Sequence, residues 1–122
     1  MNYTVDLKLL PSLVREFASY KSVVQNASEK TVSEYMLDLR TFFRFMKARE
    51  LKIDFESEDF EQIDIRDIDL EYIRNITQED IYEFLMYADS SRKNLAAAKA
   101  RKLSSVRAFF KYFLNELKLY FS

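Results

Sequence analysis

Glycine is absent from this 122-residue chain, and the single proline is Pro11. Tight hairpin turns and left-handed corners depend on the positive φ angles that glycine adopts without strain. A sheet-rich fold is therefore hard to build from this sequence, whereas helix interiors need neither glycine nor proline. We expect an all-α fold. The length and the 48% apolar content fit one domain around one core, which would occupy residues 1–122 with about 8–118 structured.

Histidine and cysteine are also absent. Their absence excludes disulfides, imidazole bases and the commonest zinc ligands from this chain. The carboxylates of Glu56, Glu58, Asp59 and Glu61 lack the spacing and the glycine turn of a calcium loop, so we expect a solvated acidic loop there. The sequence therefore predicts no catalytic residues, no metal site, no cofactor and no small-molecule substrate.

Apolar residues that recur at three- and four-residue spacing predict a small bundle of four main helices. Pro11 suits the first turn of the first helix, because its missing N–H costs nothing there. Ser28 can cap the second helix, and Thr77 with Asp80 resembles a capping box at the start of the third. The four predicted helices span about 11–25, 29–49, 78–88 and 95–117.

Residues 51–75 alternate apolar and acidic side chains without a long helical period. This pattern predicts a linker with a short helical turn near 69–74. The neighbouring helices have clear apolar stripes, and the predicted core positions include Val24 at the end of the first helix and Leu114 near the end of the last.

Charge is distributed unevenly, although the net charge is only -1. Residues 1–50 hold 8 basic and 6 acidic side chains, residues 51–91 hold 3 and 13, and residues 92–122 hold 8 and 1. A local excess of cations attracts phosphate over roughly a Debye length of about 8 Å, whatever the total charge is. The last third is therefore the candidate nucleic-acid surface, and the acidic middle segment should lie on the side away from DNA.

The polar faces of two helices support this hypothesis. A helix that enters the major groove needs short side chains near base edges and flanking cations for phosphates. The second helix presents a basic face with one unexpected leucine: Lys30, Ser33, Leu37, Arg40, Thr41 and Arg44. The last helix combines small residues with cations: Ala97, Arg101, Ser104, Ser105, Ala108, Lys111 and Asn115.

Other interpretations are open at this point. In one interpretation, the acidic and basic segments pair with each other across the fold, which would leave no basic surface. A helical protein–protein interaction module without nucleic-acid binding would account for the aromatic content and for an exposed Leu37. A complete enzyme is disfavoured, because no motif brings an acid and a base together.

Four segments of the sequence resemble the N-terminal core-binding domain of tyrosine recombinases, which include the phage integrases and Xer-type proteins. The resemblance covers about residues 8–118. Its most specific part is the run Arg-Lys-Leu-Ser-Ser-Val-Arg-Ala-Phe-Phe-Lys-Tyr at 101–112. The other parts are Ser-Glu-Lys-Thr-Val at 28–32, then Tyr35, Leu39, Phe42 and Phe43, and Thr-Gln-Glu-Asp-Ile at 77–81.

The resemblance implies a SAM-like, all-α domain that forms half of a clamp around double-stranded DNA. It also implies that the second and fourth helices face the major groove, and that other recombinase protomers are partners. The DNA contacts that follow from it are Lys30, Thr31, Ser33, Arg40, Arg44, Arg101, Ser104, Ser105, Arg107 and Lys111.

In that family a separate C-terminal domain carries the tyrosine nucleophile and its histidine, arginine and lysine partners. The present chain has no histidine, so we expect a non-enzymatic domain of a longer DNA recombinase. Arg101→Ala and Arg44→Ala should each weaken DNA binding with little loss of stability. No apolar run reaches membrane-spanning length and no signal peptide is recognisable, so we expect a cytoplasmic protein without a membrane partner.

Overall fold

A computed structural model of the chain describes residues 5–90 and 96–116. This part contains five α-helices and no strand. The expected all-α fold with four main helices is therefore confirmed, and the fifth helix is the short turn predicted near 69–74. The helices are α1 (Ser12–Ser19), α2 (Glu29–Leu51), α3 (Leu70–Arg74), α4 (Gln78–Ser90) and α5 (Ala96–Glu116).

The two helix starts predicted from capping residues form as expected. The Ser28 hydroxyl accepts a hydrogen bond from the Thr31 amide at 3.1 Å. At the start of α4, the Thr77 amide donates to the Asp80 carboxylate at 2.8 Å, and the Asp80 amide donates to the Thr77 hydroxyl at 3.2 Å. Both motifs are local in sequence, which is why the sequence alone was sufficient to predict them.

The first predicted helix changes its winding after Ser19. A π-helical turn follows at Tyr20–Val24, in which the backbone N–H of Gln25 donates to the backbone carbonyl of Tyr20 at 3.1 Å. A wider turn shifts the phase of the side chains that follow it. Val24, which was predicted to be in the core, is for this reason 69% exposed.

Helix α2 is the centre of the fold. It contacts α1, α4, α5 and a 3-10 turn at Glu58–Gln62, so most of its circumference is covered. The core is rich in aromatic side chains, and many of their rings meet edge to face, an arrangement that ring quadrupoles favour. Phe109 of α5, for example, lies with its ring centroid 5.5 Å from that of Phe17 and 5.9 Å from that of Phe43.

The segment predicted as a linker is part of the core instead. Its short turns bury one apolar side chain after another, and Phe55 stacks on Phe45 with ring centroids 5.1 Å apart. Because these apolar side chains are buried at irregular intervals along the chain, their spacing matches neither the helical nor the strand period. The buried side chains of this segment are Phe60, Ile63, Ile65, Ile68 and Ile73.

Two further leucines differ from their predicted environments. Leu37 on α2 is partly buried and packs against the core, so it does not supply the exposed apolar contact that an interaction module would use. Leu114, predicted to be in the core, is 55% exposed. The buried stripe of α5 runs through Val106, Phe109 and Phe113, and Leu114 lies one residue beyond it.

Candidate nucleic-acid interface

One face of α5 carries exposed polar and cationic side chains at helical spacing: Arg101, Ser104, Arg107 and Lys111, which we call the α5 strip. Two small exposed residues, Ala97 and Ala100, continue the same face towards the start of the helix. No acidic residue lies on α5 before its last residue. The α5 strip is therefore a surface of one charge sign, and its small residues leave the helix backbone accessible.

Arg101 is held in place by a buried carboxylate on α2. Its guanidinium donates to both oxygens of Asp38, with Nε–Oδ2 at 3.1 Å and Nη2–Oδ1 at 2.9 Å. These hydrogen bonds raise the pKa of Arg101 above its ordinary value. Asp38 is only 1% exposed, whereas 43% of the Arg101 side chain faces solvent. The buried Asp38 carboxylate therefore holds the Arg101 cation in a defined position at the surface.

Ser105 belongs to the same buried network. It is 1% exposed, and its hydroxyl donates to Asp38 at 2.7 Å. Ser33, on α2, is 5% exposed. We do not retain the prediction that these two serines contact DNA, because a ligand on the surface does not reach side chains enclosed between packed helices. Ser104, by contrast, is exposed on the α5 strip.

The cations in the second half of α2 pair with the acidic segment. Arg44 donates to Glu61 at 2.9 Å, and Lys47 donates to Asp67 at 2.8 Å. Arg49 continues this pattern with Asp80 and Glu83 of α4. The alternative in which acidic and basic segments pair with each other therefore describes this end of α2. Arg44, a predicted DNA contact, has its charge compensated within the fold.

The remaining predicted residues of α2 differ in accessibility. Lys30 and Thr31 are exposed in its first turn. Arg40 is partly buried, and its Nε atom has no hydrogen-bond partner within residues 5–90 and 96–116. The structure thus leaves Lys30 and Thr31 exposed on α2, with Arg40 partly exposed between them and the paired end of the helix.

Two features of this surface were missed by sequence reasoning. Asp38 falls between Tyr35 and Phe42 in the apolar sector of α2, and a carboxylate in that position is a recognisable signal of a buried ion pair. Lys21 lies on the π turn beside α5, and a spacing analysis of the first helix gives no sign of this position because the π turn changes the phase.

Within residues 5–90 and 96–116, no three acidic side chains converge in the way that a metal ion requires. The helices of this part of the chain also lack the length and apolar character needed to cross a membrane.

Comparison with known proteins gives a consistent family. The family described as "Phage integrase, N-terminal SAM-like domain" matches residues 14–116. A tyrosine recombinase XerC of Caldanaerobacter subterraneus is 37% identical over 111 residues, which are 89% of this chain and 31% of that protein. Those of Anoxybacillus flavithermus and Leptospira interrogans are each 28% identical, over 95% and 88% of this chain and 29% and 28% of their own lengths.

The chain thus spans less than a third of the length of these relatives. No solved structure matches it significantly. The family match covers far more than half of the sequence and includes all four main helices in whole or in large part. The chain belongs to the N-terminal SAM-like domain family of the phage integrases, the tyrosine recombinases.

Proposed function

We propose that this chain is the DNA-binding core-binding domain of a site-specific tyrosine recombinase. It would bind duplex DNA through the α5 strip and the first turn of α2. The observation that carries this proposal is the α5 strip itself, in which three cations and a serine are exposed on one helix face. Solvated helix faces ordinarily mix both charge signs, and this one does not.

The dimensions of the α5 strip suit a major groove. Arg101 and Lys111 are ten residues apart, which corresponds to about 15 Å along a helix axis. The major groove of B-DNA is about 12 Å wide. Cations at the two ends of the strip can therefore approach phosphates on opposite edges of the groove, while Ser104 and Arg107 between them face the bases and sugars.

The Asp38 ion pair supports the role of Arg101. An arginine side chain that moves freely on the protein surface loses rotamer freedom when it binds a ligand, at a cost of about 0.5–1.5 kcal/mol. Arg101 is already fixed by two hydrogen bonds to Asp38, so part of that cost is met during folding. These two hydrogen bonds use Nε and Nη2, so Nη1 can still donate to a phosphate or to a guanine edge.

On α2, the exposed Lys30 and Thr31 are the best candidates for contacts with the DNA backbone. Arg40 is a secondary candidate, because it is partly buried. Arg44 would contact a phosphate only by giving up Glu61. Arg101 is also paired, but 43% of its side chain is exposed against 13% of the Arg44 side chain, so Arg101 can contact a phosphate while it keeps Asp38.

Strand cleavage and rejoining would come from a separate catalytic domain of the recombinase, with further protomers acting on the same DNA. A single core-binding domain forms half of the clamp and makes fewer phosphate contacts than the whole. We therefore expect weak binding of the isolated chain, in the micromolar range or weaker at physiological salt.

A salt titration of duplex binding tests this proposal. Each neutralised phosphate contributes about -0.9 to the slope of log affinity against log salt. Arg107→Ala should weaken binding and reduce the magnitude of that slope by about 0.9. The matched control is Arg74→Ala, which removes an exposed arginine of α3 outside the proposed interface and should leave both quantities unchanged.

A flat salt response of the unmodified chain would overturn the proposal and favour the interaction-module alternative. Equal effects of the two arginine substitutions would also overturn it, because they would show that charge in general and not the α5 strip determines affinity.

A further inference from the structure

A groove of about 240 Å³ lies between the π turn and the second half of α5. It lies beside Lys111, at the C-terminal end of the α5 strip. The apolar spacing of the first helix gives no indication of the π turn. The side chains that line the groove are Tyr20, Lys21, Gln25, Ala108, Lys111, Tyr112 and Asn115.

Lys21 has a defined position at this groove. Its ammonium donates to the Gln25 side-chain oxygen at 2.6 Å and lies 5.1 Å from the ring centroid of Tyr35 and 5.7 Å from that of Phe17. A cation over aromatic faces is attracted by the ring quadrupoles. The Lys21 side chain is therefore held by contacts with two aromatic rings and by a hydrogen bond to the Gln25 side chain.

The two lysines of the groove repel each other. Partial burial and the nearby charge of Lys111 both lower the pKa of Lys21 from its ordinary value. Neither ammonium has a carboxylate partner within 4.0 Å among residues 5–90 and 96–116. Two cations that face one groove, with no carboxylate from the described part of the chain paired to either, are an unfavourable arrangement, which an anion between them would relieve.

The wall of the groove combines aromatic rings with amide side chains that contact one another. The rings of Tyr20 and Tyr112 pack with centroids 5.0 Å apart, and the side-chain amide of Gln25 donates through Nε2 to the Tyr20 hydroxyl at 3.2 Å. Asn115 adds a further amide on the α5 side. The groove therefore offers hydrogen-bond donors next to two positive charges, which is the chemistry that binds a phosphate oxyanion.

We propose that this groove is a subsite for one DNA backbone phosphate, held jointly by Lys21 and Lys111. The inference rests on the proposed function and adds to it a residue outside α2 and α5. It assigns the π turn to the DNA interface, at the opposite end of the α5 strip from Arg101. The phosphate bound here would be the one at the far edge of the major groove.

The test compares salt slopes for duplex binding by the unmodified chain, Lys21→Gln, Lys111→Gln and the double variant. A phosphate shared by both lysines predicts a small change for each single variant, since one cation remains. It predicts a decrease of about 0.9 in slope magnitude for the double variant. Lys52→Gln, which neutralises an exposed lysine at the far end of α2, is the matched control and should leave the slope unchanged.

The outcomes are distinct. A decrease of about 1.8 for the double variant would mean two separate phosphates and would overturn the shared site. An unchanged slope for the double variant, beside a steep slope for the unmodified chain, would overturn the subsite and leave the proposed function intact. A flat slope for the unmodified chain would overturn both.

A second arm distinguishes the DNA backbone from free phosphate. The titration is repeated with inorganic phosphate in place of chloride at matched ionic strength. A groove that serves the DNA backbone predicts the same ratio of affinities between the unmodified chain and the double variant in both salts. A groove that selects free phosphate predicts that inorganic phosphate abolishes this ratio, which would overturn the assignment to DNA.

Discussion

Replacing Arg101 by alanine should destabilise the fold as well as weaken DNA binding. The sequence alone suggested that this substitution would leave stability nearly unchanged. In the structure, however, Arg101 is the bidentate partner of Asp38, which is 1% exposed. Its removal leaves a carboxylate in the interior with less compensation than before.

The magnitude follows from the partners that Asp38 keeps. Removing one member of a buried ion pair costs about 3–5 kcal/mol when the other charge is left uncompensated. Here the Ser105 hydroxyl remains at 2.7 Å and the Lys102 ammonium at 4.0 Å. Because the Arg101 side chain is also 43% exposed, we expect about 2 kcal/mol, or a melting temperature lower by about 8 °C for a chain of this length.

Urea and thermal unfolding of four proteins measure this effect: the unmodified chain, Arg101→Ala, Asp38→Asn and the double variant. The double variant should lose at least about 1 kcal/mol less than the sum of the single variants, because the two residues act as a pair. Arg107→Ala is the control on the same helix face, and it should change stability by less than about 0.5 kcal/mol.

The stabilising role of the Arg101–Asp38 ion pair would be excluded if Arg101→Ala unfolded with the same free energy as Arg107→Ala. It would also be refuted if the losses from Asp38→Asn and Arg101→Ala were additive. Either result would mean that the ion pair does not stabilise the folded state.

Three further predictions concern the fold. Phe17→Ala should lower the free energy of unfolding in urea by about 3–5 kcal/mol, because the ring is fully buried; a loss below about 1 kcal/mol would contradict the packing. Ser28→Ala should cost about 1 kcal/mol through the lost α2 cap, and an unchanged melting temperature would contradict this. Burial opposes ionisation of Asp80, but hydrogen bonds from Thr77 and Arg49 prevail and lower its pKa. Its stabilisation is therefore present above about pH 4 and is lost as pH falls through the folded-state pKa, so acid should destabilise the unmodified chain more than Asp80→Asn in unfolding experiments at pH 7 and pH 3.

The parts of the fold that depend on local sequence were predictable. The caps at Ser28 and Thr77 and the apolar stripe of α2 involve residues within a few positions of each other. The π turn and the packed segment at 51–76 were not, because their burial depends on neighbours distant in sequence. Phe60, for example, is buried under rings that include Tyr87, 27 positions further along the chain.

The candidate site shows the same division. The spacing of Arg101, Ser104 and Lys111 correctly placed these residues on one exposed face. Ser105 was assigned to that face because it is small and polar, and such a residue is equally suited to donate to a buried carboxylate. A helical wheel does not distinguish these two roles, because the deciding partner, Asp38, lies 67 positions away in sequence.

The π turn has a consequence for insertions and deletions in this chain. In the π turn at Tyr20–Val24 the backbone hydrogen bond from Gln25 to Tyr20 joins residues five positions apart, whereas the hydrogen bonds of an α-helix join residues four positions apart. Deleting one residue there would allow regular α-helical winding, in which four residues turn the chain about as far as the five residues of the π turn do, so the following residues would keep nearly the same direction relative to α1. A deletion of one codon in this turn would thus be absorbed locally, whereas the same deletion in the middle of α2 would rotate every residue beyond it by about 100° and displace the buried rings.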